Sequence, residues 1–152
     1  MVYYKKAILA KDERRNIMSK ELVKEAVIRY LVKELEVPEE MIEIDTPLSV
    51  YEDGEEGEID ITVLLEDGED AVVPLMVVQC LDDEREMSEA VIEKQIQVLE
   101  HIDNVTNVGR IILTNGEEMM YADWGATDPD NEGEIPTYSQ MVKTFQEVQN
   151  KQ

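Results

Sequence analysis

Residues 57–65 read GEIDITVLL and residues 74–81 read PLMVVQCL, and these two apolar runs flank an acidic turn that contains Gly68. Branched apolar residues dominate both runs and predict two strands joined as a hairpin. Asp60 lies in the middle of the first run, and Gln79 interrupts the second. A carboxylate inside a buried strand is costly unless a hydrogen bond, an opposite charge or a metal ion compensates it. The hairpin is therefore the first candidate for a functional site.

The size and composition of the chain predict one folded domain over residues 1–152, because 43% of its residues are hydrophobic. The single cysteine, Cys80, cannot form an internal disulfide, and we interpret it as a buried thiol rather than a nucleophile. No apolar run approaches the ~20 residues that span a bilayer, and the N-terminus lacks the order of a signal peptide. We expect a cytoplasmic protein with no membrane partner.

The formal net charge is -22, with 36 acidic residues against 14 basic ones. Nucleic acid carries the same sign, so DNA binding needs a local site, a divalent metal or a partner chain. The basic cluster consists of Lys5, Lys6, Lys11, Arg14 and Arg15. The simplest interpretation of the overall charge is solubility, because charge of one sign acts mainly on solubility and association.

Apolar residues three or four positions apart predict a first helix over residues 19–36, with Ser19 as N-cap and an end before Pro38. Pro47 places the next strand, over residues 41–44, at a sheet edge or makes it continue irregularly. Because Pro74 has no N–H, ordinary pairing of the second hairpin strand is expected to begin after it. The other predicted elements are strand 58–65, strand 71–81, helix 88–103, strand 109–114, strand 117–122 and helix 137–149, with Val2-Tyr3-Tyr4 as a short strand or the start of a helix.

A set of short motifs occurs in a fixed order along this chain. They are Glu21 in the first helix, Gly57–Ile61 in the first hairpin strand, Pro74–Leu81 in the second, Gln95 in the second helix, and Ile112–Gly116 at a strand that leads into an Asn-Gly turn. Their order resembles the restriction-endonuclease-like, or PD-(D/E)xK, superfamily. More narrowly, residues 19–122 resemble the N-terminal nuclease domain of type I restriction enzyme R subunits. The resemblance implies an α/β fold with a mixed central sheet flanked by helices.

The resemblance also implies a Mg²⁺-dependent phosphodiester hydrolase, in which carboxylates hold the metal and a lysine two residues after the second acid assists the attacking water. Carried onto this chain, the metal ligands are Glu21, Asp60 and Gln79, and Asp60 and Gln79 are also catalytic. The second half of the motif departs from the family, because Glu-x-Lys here reads Gln79-Cys80-Leu81. A glutamine carries no charge, and a leucine can neither donate a proton nor activate water.

Three functions remain open. The first is a catalytically impaired nuclease domain that acts as a binding or regulatory module, with DNA or a protein as partner. The second is an active Mg²⁺-dependent DNA nuclease that uses Glu21, Asp60 and Gln79, with Lys94 on the second helix in place of the missing lysine. A separate rescue is a carboxylate just past the strand, from Asp82, Asp83 or Glu84. The third is an acidic protein-interaction module with no nucleic-acid role. The missing lysine favours the first over the second, and the net charge favours the third over both, but the order of the motifs keeps a nuclease ancestry ahead. Mg²⁺ is expected only if the domain is active.

Two other kinds of site are not supported by the sequence. His101 is the single histidine, and no serine or cysteine stands at a spacing that indicates a catalytic triad. The acidic loop 52–57 lacks the ordered oxygen ligands and flanking helices of an EF-hand.

Overall fold

The computed structural model describes residues 2–6, 20–66, 72–81, 88–116, 118–123 and 135–150. The elements in these ranges are β1 (Val2–Lys6), α1 (Lys20–Lys33), β2 (Ile42–Pro47), β3 (Glu58–Glu66), β4 (Val72–Cys80), α2 (Glu89–Thr106), β5 (Arg110–Thr114), β6 (Glu118–Asp123) and α3 (Tyr138–Asn150). The predicted α/β class is confirmed. Several predicted features lie outside the described residues, namely Ser19, Lys11, Arg14, Arg15, the turn at Gly68, Asp82, Asp83 and Glu84.

The six strands form one mixed sheet in the order β1-β6-β5-β4-β3-β2. Strands β4 and β5 pair in parallel, and α2 connects them, whereas the other neighbouring strands pair antiparallel. The prediction that β2 lies at an edge is confirmed, and residues 2–6 form a strand that pairs with β6. This mixed sheet with covering helices is the architecture that the resemblance to restriction endonucleases implied.

Helices cover both faces of the sheet and divide the core into two clusters. Side chains of α1 and α3 pack on one face, where the buried residues include Val23, Val27, Leu31, Ile61, Val63, Val78 and Met141. Side chains of α2 pack on the other face, where they include Ile59, Val77, Leu99, Ile102, Ile111 and Leu113. Each such side chain contributes about 1.5–3 kcal/mol when it leaves water. None of the described helices is long and apolar enough to cross a bilayer.

Helix α1 ends at Lys33, earlier than the predicted residue 36, and the chain turns away through a left-handed residue. Glu36 has φ 58°, and the Val37 N–H donates to the Leu31 carbonyl at 3.0 Å. This bond satisfies a carbonyl that the helix end would otherwise leave unpaired, and both apolar residues are buried in the core beside α1. The turn thus stops the helix before Pro38, as predicted.

The expectation that pairing in β4 begins only after Pro74 is wrong. Leu64 pairs with Pro74, and Val72 and Val73 also pair with β3. The register shifts next to this point, because Val63 faces Met76 while Leu64 faces Pro74, so one residue of β4 is extra. A bulge of this kind accommodates a residue that has no N–H to donate.

The predicted Asn-Gly hairpin after β5 is confirmed. Thr114 of β5 faces Met119 of β6, and Gly116 takes the turn with φ 91°. The Asn115 side chain accepts a hydrogen bond from the Glu118 N–H at 2.8 Å. A positive φ at this position favours glycine, which has no Cβ.

Candidate functional site

The two strands of the central hairpin separate at the acid that the sequence singled out. Regular pairing of β3 with β4 ends at Ile61 and Val78. Beyond that pair, the Asp60 N–H donates to Gln79 Oε1 at 2.7 Å, and the Cys80 N–H donates to Asp60 Oδ2 at 2.8 Å. Side chains therefore take over the hydrogen bonds that a continuing backbone ladder would make.

The Gln79 side chain holds β3 with both ends of its amide. Its Oε1 accepts from Asp60, and its Nε2 donates to the Glu58 carbonyl at 3.3 Å. A carboxylate at this position has no proton to donate to that carbonyl. The glutamine is thus suited to joining the separated strands, and its carbonyl oxygen is already engaged.

The Asp60 carboxylate is buried, with 3% of the residue exposed, and it lies on the α1 side of the sheet. Its Oδ1 is 3.0 Å from Nζ of Lys20 at the start of α1. Ile59 packs in the core beside α2, while Ile61 and Val63 pack in the core beside α1. The alternation of side chains along β3 is therefore interrupted at Asp60, which lets the carboxylate and Ile61 reach the same face.

Lys24, one helical turn after Lys20, is buried with 6% of the residue exposed. Its ammonium contacts the Asp45 carboxylate, and Glu21 Oε1 lies 3.4 Å away. The hydrogen bond to Asp45 is the largest cause of a raised Lys24 pKa and outweighs the opposing effect of burial, with Asp60 adding to the rise. Lys24 therefore carries its positive charge although its side chain is buried.

Three carboxylates meet at the same corner of the sheet. One oxygen each of Asp45, Glu58 and Asp60 lies within 4.8 Å of the other two. Asp45 reaches the group from β2 with φ 53°, a left-handed conformation that aspartate tolerates better than most residues. We call Asp45, Glu58, Asp60, Lys20 and Lys24 the lysine–carboxylate corner.

The profile of the family described as type I restriction enzyme R protein N terminus (HSDR_N) matches residues 19–136, well over half of the chain. The chain belongs to this family. The match extends beyond the residues 19–122 that carried the resemblance and takes in the segment leading to α3. No curated protein and no solved structure matches the chain.

The structure brings two of the predicted metal ligands of this restriction-enzyme domain to the lysine–carboxylate corner. Asp60 is part of it, and Glu21 lies at its edge, largely exposed, beside Lys24. Gln79 lies next to Asp60 but binds the backbone of β3. The assignment of these residues as metal ligands remains a prediction.

The predicted replacement lysine lies elsewhere. Lys94 is exposed on α2, the helix that covers the opposite face of the sheet from α1. Leu81, at the position of the family's motif lysine, packs against the core beside α2. Its N–H donates to the Thr114 carbonyl at 2.8 Å, which keeps this end of β4 on β5. Gln95 of α2 is half-buried.

Sequence reasoning missed Lys20, Lys24, Asp45 and Glu58. A signal for the lysines was present, because residues 20, 24, 27 and 31 follow the three- and four-residue spacing of one helix face. Val27 and Leu31 are buried on that face, so a lysine aligned with them needs an acidic partner. No comparable signal marks Asp45, because only the packing of β2 on β3 brings it there.

The residues at this corner do not fit the magnesium site that the family implies. Such a site needs free oxygens from two acids and a lysine beside them. Here Gln79 Oε1 is bonded to Asp60 N–H, and both Asp60 oxygens have partners. The ammonium of Lys20 lies 3.0 Å from Asp60 Oδ1, so this oxygen is already paired with a cation.

Cys80 is buried beside this corner, with 3% of the residue exposed. Burial raises the pKa of its thiol to about 12, and the negative charge of Asp60 adds to the shift. The sulfur is therefore a neutral thiol at physiological pH, which agrees with its interpretation as a packing residue.

A cavity of about 350 Å³ lies against α2 and shares Glu58 with the lysine–carboxylate corner. Its lining consists of Leu48, Glu56, Gly57, Glu58, Gln97, Val98, His101 and Ile102. Beside it, Nε2 of His101 lies 2.8 Å from Glu55, so the single histidine contacts an acid of the loop before β3.

Proposed function

We propose that this domain keeps the frame of a restriction nuclease but does not cleave DNA, and that it acts as a binding or regulatory module of a type I restriction system. The observation that carries the proposal is the use of Gln79, which joins β3 to β4 through both ends of its amide. In the family this position supplies an acid. In this chain the Gln79 side-chain oxygen is uncharged and already accepts a hydrogen bond from the Asp60 N–H.

Two further observations support the loss of catalysis. The position of the motif lysine holds Leu81, which is partly buried against the core beside α2 and can neither donate a proton nor stabilise an oxyanion. Lys94 is exposed on α2, while the Asp60 carboxylate faces Lys20 of α1. On the strands that the structure describes, no lysine stands two residues after an acid, as the family's motif requires.

The proposal is tested by incubating supercoiled plasmid and linear duplex with the full chain in Mg²⁺ or Mn²⁺. The matched variant is Asp60→Asn, which keeps the shape of the side chain and removes its charge. We expect the two proteins to leave the DNA equally intact. Metal-dependent nicking by the wild-type chain that Asp60→Asn abolishes would establish the alternative, an active Mg²⁺-dependent nuclease. Adding Lys94→Met to that comparison shows whether Lys94 takes part.

The cavity against α2 favours a second candidate function, contact with a basic protein segment. Val98 and Ile102 give it an apolar wall, while Glu56 and Glu58 are exposed acids in its lining. The net charge of -22 favours association with positively charged partners. The occupant that fits best is a segment that presents one apolar side chain between lysines or arginines.

Peptides distinguish this docking from general attraction of charge. A fluorescent peptide with one leucine between lysines should bind more tightly, at 0.15 M salt, than the same peptide with serine in place of leucine. Val98→Asp should remove the difference. Equal anisotropy titrations for the two peptides would show that only the overall charge is sensed.

A further inference from the structure

The lysine–carboxylate corner has the acids of a cation site. Asp45, Glu58 and Asp60 each place one oxygen within 4.8 Å of the others. Carboxylates at this spacing repel one another unless a cation lies among them. Asp60 is buried, so water offers its charge little compensation.

Two lysines of α1 supply the positive charge. Lys20 Nζ is 3.0 Å from Asp60 Oδ1, and Lys24 Nζ contacts Asp45. The two lysines are four residues apart and therefore lie on the same side of the helix. Their environments differ, because 49% of the Lys20 side chain is exposed but only 8% of the Lys24 side chain.

We propose that the ammonium groups of Lys20 and Lys24 take the place of a divalent metal ion in this corner. The wild-type domain then needs no metal to hold β2, β3 and α1 together. The carboxylates retain the spacing of a metal site, so removing one lysine charge opens that site to a divalent cation. This inference rests on the proposed function, because a working nuclease would bind metal here without any substitution.

The chemistry predicts which ions the opened site prefers. All three ligands are carboxylate oxygens, which suit hard cations such as Mg²⁺, Mn²⁺ and Ca²⁺. Cys80 is nearby, but its pKa is raised to about 12, so it offers no thiolate to softer metals. Mn²⁺ is the probe of choice, because it accepts carboxylate ligands in a less demanding geometry than Mg²⁺.

The experiment measures the melting temperature of the full chain against MnCl₂ concentration, with NaCl adjusted to hold the ionic strength constant. The variants are Lys20→Met and Lys24→Met, and the control is Lys33→Met, which removes an exposed lysine of α1 away from the corner. We expect no saturable rise for the wild type or the control. We expect Lys20→Met or Lys24→Met to show a saturable rise of about 3 °C or more, and Asp60→Asn in the same background to abolish it.

Three outcomes overturn the inference. One is a saturable Mn²⁺ response of the wild type that Asp60→Asn removes. Another is a response of both lysine variants equal to that of Lys33→Met. The third is a lysine-variant response that survives Asp60→Asn. If Lys24→Met does not fold, Lys20→Met decides alone, since its side chain is half exposed. The cleavage assay tests the proposed function separately, because it reads DNA rather than melting temperature.

Discussion

Lys20 Nζ lies 3.0 Å from Asp60 Oδ1, so a helix and a central strand are joined at the residue on which a restriction nuclease would coordinate its metal. On the same carboxylate, Oδ2 accepts the Cys80 N–H. Asp60 therefore acts as a junction between α1, β3 and β4. A buried acid that makes such contacts has a structural role whether or not the domain hydrolyses DNA.

The contact between Lys24 and Asp45 should be worth measurable stability. A double-mutant cycle of Lys24→Met and Asp45→Asn, read by urea unfolding, should give a coupling of about 1 kcal/mol or more, because the lysine is buried. Asn is chosen because it tolerates the positive φ of Asp45. The control pair is Lys143 and Glu147, which lie 4.0 Å apart on α3 and are both exposed. Its coupling should be within about 0.5 kcal/mol of zero, and equal coupling in the two pairs would contradict the expectation.

The buried thiol of Cys80 predicts a loss of stability at high pH. Folding raises its pKa from 9.0 to about 12, so the folded state holds a proton that the unfolded state releases. The stabilisation is complete below pH 9 and is lost as the pH rises towards 12. The free energy of unfolding should fall by up to about 1.4 kcal/mol per pH unit in that window.

Cys80→Ala separates this effect from other groups that titrate at high pH. The half-buried tyrosines Tyr30 and Tyr51 also have raised pKa values and are common to both proteins. Urea unfolding between pH 8 and 11 should therefore show a shallower decline for Cys80→Ala than for the wild type. Parallel declines would mean that the thiol ionises as easily in the folded protein as in the unfolded chain.

Gln79→Glu restores the acid of the family motif and should destabilise the domain. The new side chain cannot donate to the Glu58 carbonyl, and it adds a negative charge next to Asp60 and Glu58. We expect a cost of about 1–3 kcal/mol at pH 7, measured by urea unfolding. Gln146→Glu, at an exposed position of α3, should change stability by less than about 0.5 kcal/mol.

The pH dependence gives this prediction a second readout. Neighbouring acids and partial burial should raise the pKa of the introduced Glu above its unfolded value of about 4.3. Its stabilising contribution, as a neutral acid, is then complete below that value and is lost as the pH rises through the folded pKa. The difference from the wild type should accordingly be smaller at pH 5 than at pH 7, and a difference that does not vary with pH would contradict this account.

Much of the fold follows from local patterns that the chain itself carries. The three- and four-residue spacing along 20–33 and 89–106, and the apolar runs of β3 and β4, fixed the type and order of the central elements. The Asn115-Gly116 turn predicted the β5–β6 hairpin for a local reason, since one glycine takes a positive φ. The short strand β1 could not be assigned, because it is a strand only through its pairing with β6.

The candidate site was only half predictable. Asp60 was identified because a charge inside an apolar strand conflicts with its surroundings, and Gln79 because it stands where the family has an acid. The partners of Asp60 were missed. Lys20, Asp45 and Glu58 come from separate elements, and nothing in their local sequence announces a shared corner. Where β3 separates from β4, the side-chain alternation also changes, and no rule of strand periodicity anticipates that.

By itself, the sequence determined the α/β class, the hairpin that carries Asp60, and the replacement of the family's Glu-x-Lys by Gln79-Cys80-Leu81. Those are properties of composition and spacing, which act over a few residues. Only the tertiary structure decided what compensates the Asp60 charge, because a buried carboxylate takes whichever donor or cation the packed elements bring within about 3 Å. In this chain that cation is the ammonium of Lys20.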